Sequence, residues 1–152
     1  MDKQAIKRQA ILPRISGIEG SLVKLRSMAA QGQNVFDNDI NFAAAQTYLR
    51  QALEGVFNIG AHILSRLPGG RATEYKGIAK KLGELGVVER KFADDVLVKM
   101  GGYRNRLVHI YNEITPVELY DITQNHLSDF ETFLAAIKTV LEQPEKFNLT
   151  VE

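Results

Sequence analysis

The sequence predicts an all-α fold, an antiparallel four-helix bundle with one additional short helix. Two observations carry this. Apolar residues recur at steps of three and four through four long segments, and no stretch alternates with period two for long enough to suggest a sheet. Short Gly- or Pro-marked connections separate these segments, so successive helices should pack as antiparallel neighbours. At 152 residues the chain matches the usual size of one domain, and no internal repeat, long linker or low-complexity segment divides it. A single domain over residues 1–152 is expected.

In the first segment Ile11, Ile15, Ile18, Leu22, Leu25 and Ala29 form one apolar stripe, and Pro13 should start or kink that helix. After Gln31-Gly32-Gln33-Asn34, a second helix places Leu49, Leu53, Val56, Gly60, Ile63 and Leu67 on one face, and Pro68-Gly69-Gly70 ends it. A short third helix, about Glu74 to Leu82, starts at Thr73 and turns Ile78, Ala79 and Leu82 to the core. The fourth is the most regular, with Phe92, Val96, Met100, Tyr103, Leu107, Ile110 and Ile114 on its stripe. Thr115-Pro116-Val117-Glu118 then reads as a capping box with proline at the first helical position, and Ile114 and Leu119 are placed to staple across it. The fifth helix carries Leu119, Ile122, Phe130, Phe133, Ile137 and Val140 and stops before Pro144.

Composition narrows the chemistry. Nineteen basic against eighteen acidic residues leave a formal charge of +1, so any hold on a polyanion must be local. Without cysteine there are no disulfides, thiolate metal sites, iron–sulfur clusters or cysteine nucleophiles, and two distant histidines, His62 and His126, with no convergent carboxylate spacing make no metal motif. No cofactor is called for. The charged first thirty residues show no signal peptide, and no apolar run approaches the ~20 residues a bilayer needs, so a cytoplasmic protein without membrane contact is expected.

The chemistry concentrates late in the fourth helix, in Tyr103-Arg104-Asn105-Arg106-Leu107-Val108-His109-Ile110-Tyr111-Asn112. On an ideal helix Asn105, His109 and Asn112 fall within about 60° of one another, a polar strip beside the apolar stripe. Arg104 lies about 140° around from His109, with Cβ atoms roughly 10 Å apart. That separation suits bracketing one phosphate, or meeting a second copy's residues across a two-fold axis. A guanidinium grips a phosphoryl group with two donors and stabilises the charge that builds on its oxygens. Imidazole exchanges a proton near neutral pH. RNA brings its own nucleophile, the 2′-hydroxyl, so the pair needs no metal. The plain structural alternative is a surface charge and a helix-terminal cation.

The run Arg104-Asn105-Arg106-Leu107-Val108-His109-Ile110-Tyr111 has the pattern R-N-x-x-x-H-x-Y, which resembles the signature of the HEPN superfamily and specifically of HepT-like toxins. The position of the motif in the fourth helix, the helix order and the chain length agree with that likeness. The resemblance implies a HEPN-like bundle acting as a homodimeric ribonuclease toxin, with the motifs of two subunits facing a shared cleft. Its partner would be a minimal nucleotidyltransferase antitoxin of the MntA type, which transfers AMP to the motif tyrosine. Carried over, Arg104 stabilises the transition state, His109 acts as general base or acid, Asn105 orients the site and Tyr111 accepts AMP. On an ideal helix Arg104 and Tyr111 point within about 20° of each other, so an adenylyl phosphate on Tyr111 competes with RNA phosphate.

The remaining candidates have ordinary structural readings. His126, in line with Ile122 and Phe130, reads as a buried or capping residue, and His62 borders the second helix's stripe. Gly69-Gly70 is a helix stop rather than a phosphate loop, and Asp94-Asp95 lie on a solvated face. Lys76, Lys80 and Lys81 share one side of the short helix, where they could meet RNA backbone. Two other functions compete with the ribonuclease: a non-catalytic HEPN binding partner of a minimal nucleotidyltransferase, and a helical adaptor dimerising through its first or fifth helix.

Overall fold

The computed structural model describes residues 3–109 and 113–152. Among these residues six helical segments follow one another: α1 (Arg8–Ala29), α2 (Asp39–Leu64), α3 (Tyr75–Glu84), α4 (residues 90–108), α5 (Pro116–Asn125) and α6 (Ser128–Glu142). Helix α4 runs through Arg90–Phe92, a π-helical turn at Ala93–Leu97 and the α-helical stretch Val98–Val108. Short 3-10 turns occupy Val35–Asp37 and Pro144–Phe147.

Three helix pairs run antiparallel. Cross-contacts between α1 and α2 run in opposite chain directions: a Cβ on Gly55 would lie 2.9 Å from Ile18, and the Lys24 ammonium sits 4.8 Å above the Tyr48 ring. Ion pairs Arg26–Glu131 and Glu19–Lys138 do the same for α1 and α6. Helix α4 descends α2 antiparallel, with Gly101 beside Phe57 and Arg104 beside Glu54. The interior is one continuous apolar cluster, in which Ile11, Leu25, Leu53, Ile59, Leu82, Leu119 and Phe133 are wholly enclosed. No helix among the described residues is long and apolar enough to cross a membrane.

The structure departs from the expected elements in several places. Helix α1 begins five residues before Pro13 and runs through it; only the Gln9 carbonyl loses its helical donor, and both residues are exposed, where water can serve it. Helix α2 stops at Leu64, before Leu67. In α4 the fully buried side chains are Ala93 and Leu97, one residue along from the expected Phe92 and Val96, which lie on their flank in the stretch that takes the π form. The expected fifth helix is two helices, α5 and α6, interrupted at His126 and Leu127. Finally, a two-stranded parallel sheet joins β1 (Gln4–Ile6) to β2 (Leu149–Val151), in register Gln4 with Leu149 and Ile6 with Val151. These strands are three residues long, too short for a period-two signature.

Candidate active site

The motif arginine is positioned by three helices. Gly101, one turn before Arg104, lets α3 close on α4: a Cβ there would stand 3.0 Å from the Tyr75 Cβ and 3.5 Å from the Phe57 ring. The Phe57 and Tyr75 rings pack at 4.8 Å with a 45° tilt. Arg104 then lies across Tyr75, its guanidinium carbon 4.8 Å from the ring centroid, and directs Nε to Glu54 Oε1 at 3.6 Å. The same Glu54 oxygen accepts a hydrogen bond from Arg50 Nη1 at 3.1 Å. Arg104 Nε is shut off from solvent and makes no hydrogen bond among the described residues, although a quarter of the side chain remains exposed.

His109 lies one residue beyond the helix. Helix α4 ends at Val108, and His109, the C-cap, takes an extended backbone (φ −104°, ψ 122°) while its N–H still donates to the Asn105 carbonyl at 3.1 Å. The ideal-helix placement of His109 therefore does not hold: the residue is exposed just past the end of α4. Asn105 is exposed on the last turn. Ile110, Tyr111 and Asn112 lie outside the described residues, and with them the polar strip through Asn112 and the alignment of Tyr111 with Arg104.

A clamp that the sequence did not suggest closes the segment after the motif. Arg106 Nη1 and Nη2 each donate to a Glu118 oxygen at 2.6 Å, and Nη2 also approaches the Glu113 carbonyl at 3.4 Å. This two-bonded pairing ties the end of α4 to the first turn of α5 and holds the Glu118 carboxyl below the usual glutamate range. Thr115 caps α5 as the motif predicts, its Oγ1 accepting from the Glu118 N–H at 3.1 Å, but the Glu118 carboxylate goes to Arg106. Ile114 and Leu119 are both buried at the staple positions.

Together these features place a guanidinium on an aromatic ledge and an exposed imidazole at the mouth of the same helix end. The model of the ribonuclease HepT-like family matches residues 18–137, which include α2 to α5 and the whole motif. The chain belongs to the HepT-like ribonuclease family. Among curated HepT-like proteins it is similar to the mRNA nuclease HepT of Shewanella oneidensis, 26% identical over 129 residues that span 84% of this chain and 96% of the relative. The tri-AMPylated HEPN toxin of Shewanella oneidensis, solved in complex with an MNT antitoxin, superposes with a TM-score of 0.78 at 24% identity, over 86% of this chain and 97% of that one. A toxin–antitoxin structure with AMP-PNP superposes at 0.75 with 23% identity, over 85% and 96%. The HepT-like bundle is thus shared across nearly the full length of these chains.

The other sequence candidates take structural places in this HepT-like chain. His126 is the C-cap of α5, with its nitrogens 3.6 Å from Asp121 Oδ2 and Asp129 Oδ2. His62 Nε2 accepts the Lys7 N–H at 3.2 Å; burial, then the nearby Arg66, Arg14 and Lys7, push its pKa below the ordinary value. Gly69 adopts φ 71° in the turn after α2, as a helix stop requires. Lys81 pairs with Glu84 at 3.3 Å, whereas Lys76 and Lys80 line an open groove with Arg90. Sequence reasoning missed Glu54, Tyr75 and Arg106; the Arg50-to-Glu54 spacing of four was the one local signal pointing to a fixed carboxylate on α2.

Proposed function

We propose that this chain is a cytoplasmic, metal-independent endoribonuclease toxin that cuts RNA with Arg104 and His109 at a cleft shared by two copies of the chain, and that AMP transfer to Tyr111 by a minimal nucleotidyltransferase antitoxin of the MntA type silences it. The observation that carries this reading is the pairing, within a HepT-like ribonuclease bundle, of a guanidinium held on an aromatic face with a solvent-facing imidazole five residues on. His109 takes the proton of the RNA 2′-hydroxyl, the 2′-oxygen bonds to the neighbouring phosphorus, and the 5′-oxygen leaves with a proton, giving a 2′,3′-cyclic phosphate. Arg104 stabilises the charge on the non-bridging oxygens as the bond to the 5′-oxygen breaks. Asn105, exposed beside them, orients the phosphate. The second copy's His109 supplies the proton that the leaving oxygen needs, which is why the active species is a homodimer.

The tri-AMPylated relative in its antitoxin complex supports the silencing step. Tyr111 follows His109 by two residues, so an adenylyl group there adds bulk and negative charge where the RNA phosphate must bind. The test is incubation of purified protein with total RNA in EDTA, beside Arg104→Ala and His109→Ala. The parent should cut and leave cyclic phosphate ends, and both variants should be inactive with unchanged helicity. Parent-like cutting by both variants overturns the site, and activity that needs added magnesium overturns the metal-free mechanism. With an MntA-type enzyme and ATP, mass spectrometry should find AMP on Tyr111; modification of Tyr75 or Tyr120 alone overturns the silencing model.

A further inference from the structure

We propose that Glu54 and Tyr75 are positioning residues that fix the Arg104 guanidinium so that only its terminal two-amino edge is offered to a phosphate. The inference rests on the ribonuclease reading above and assigns two residues outside the R-N-x-x-x-H-x-Y pattern. A guanidinium has two forks, one made by Nε with an amino group and one made by the two amino groups. Here the first fork is closed: Nε is enclosed, faces Glu54 Oε1 at 3.6 Å and has no room for a solvent partner. A quarter of the side chain stays exposed, and the proposal assigns that exposure to the second fork.

Each supporting group is itself held. Arg50 fixes the Glu54 carboxylate by a hydrogen bond of 3.1 Å, and Phe57 backs the Tyr75 ring at 4.8 Å. Gly101 removes the Cβ that would push Tyr75 off α4. An arginine has four rotatable side-chain bonds, and the ring beneath and the carboxylate beside it remove most of that freedom before RNA arrives. Orientation has an electrostatic cost. The Glu54 charge offsets part of the guanidinium's field and weakens the first attraction of RNA phosphate to Arg104.

These two effects have opposite signs in Glu54→Gln, which keeps the shape and removes the charge. Its KM for RNA should fall about two- to threefold as phosphate attraction rises. Its kcat should fall about tenfold as the guanidinium loses its fixed direction. Damage to folding produces no such split, since it lowers the active fraction without lowering KM. Tyr75→Leu keeps an apolar side chain but no ring and should also lose about tenfold in kcat, whereas Tyr75→Phe should recover most of that loss.

The deciding measurement pairs steady-state kinetics of the parent and these three variants with the ¹⁵N-resolved Nε–H signal of Arg104 in the full-length protein. In the parent the Nε–H should exchange slowly with water, and in Glu54→Gln and Tyr75→Leu it should exchange quickly or broaden. Fast exchange in the parent, or unchanged kcat and KM in Glu54→Gln, overturns the proposal. If neither parent nor variants cut RNA, the ribonuclease reading falls and the Nε–H exchange alone decides whether Arg104 is held as proposed.

Discussion

Replacing Glu118 by Gln tests the clamp between α4 and α5. The substitution keeps the size of the side chain and the Thr115 cap, which uses the Glu118 backbone N–H, and removes the charge that two Arg106 donors meet at 2.6 Å. Charge-assisted hydrogen bonds contribute about 1.5–3 kcal/mol when well enclosed, while exposed ion pairs contribute about 0.2–1 kcal/mol. With the two side chains about one-third exposed, an intermediate loss of about 1.5 kcal/mol is expected. For a chain of this length that corresponds to a fall in Tm of about 3–6 °C. The pH dependence gives the sharper test. The carboxyl is held below its ordinary value of 4.5, chiefly by the hydrogen bond from Arg106, so the folded state binds that proton less readily than the unfolded chain. The stabilisation is therefore complete above about pH 4.5 and is lost as the pH falls through the folded value. Urea titrations of parent and Glu118→Gln at pH 7 should differ by the full amount, and the difference should shrink towards pH 3. A difference below about 0.3 kcal/mol at pH 7, or one that is the same at both pH values, refutes the reasoning.

Adjacent glycines on α4 should respond in opposite directions. Gly102→Ala meets nothing within 4 Å and should stabilise by about 0.5–1 kcal/mol through helix propensity, whereas Gly101→Ala presses a Cβ to 3.0 Å from Tyr75 and should lose about 1 kcal/mol in the same thermal melts. Gly83→Ala, whose Cβ would fall 2.6 Å from that of Ala93, should be worse than Gly101→Ala and cost about 1–3 kcal/mol. For His62, whose pKa is lowered by burial and by neighbouring cations, stability present above the ordinary 6.5 should drain away as the pH falls through its folded value; His62→Gln should flatten that part of the stability curve. Equal slopes in parent and variant between pH 7 and pH 5 would remove His62 from the account.

Helix identity was legible wherever one apolar stripe met one core. Ile78, Ala79 and Leu82 on α3 are buried as spaced, and Thr115, Pro116 and Glu118 start α5 where the capping pattern places them. Periodicity failed where geometry changes without a change of stripe. Ile122 and Phe130 keep an apolar series going across His126 and Leu127, so two helices read as one. At the motif the same regularity carried the fourth helix past Val108, although Val108, His109, Ile110 and Tyr111 are all residues of weak helix propensity, a local signal against continuation. The candidate site was legible in its residue types and only partly in its geometry. Arg104, Asn105 and His109 announce themselves by type and spacing, whereas Glu54 and Tyr75 lie 50 and 29 positions before Arg104 and meet it only through tertiary packing.

The π turn at Ala93–Leu97 gives α4 a molecular phase. Such a turn amounts to one residue added to an α-helix, and each residue advances the helix by about 100°. Relative to an uninterrupted helix anchored at Arg90, everything after Leu97 is rotated by about that amount, and it is from this rotated stretch that Arg104 meets Glu54 and Tyr75. Deleting Asp94 or Asp95, exposed residues of that turn, offers the helix a regular path at the price of swinging Arg104 away from its ledge or dragging Arg90–Phe92 around instead. The one-residue excess far from the motif thus acts as the setting of a dial, and the aim of the guanidinium depends on chain length upstream as much as on the residues that touch it.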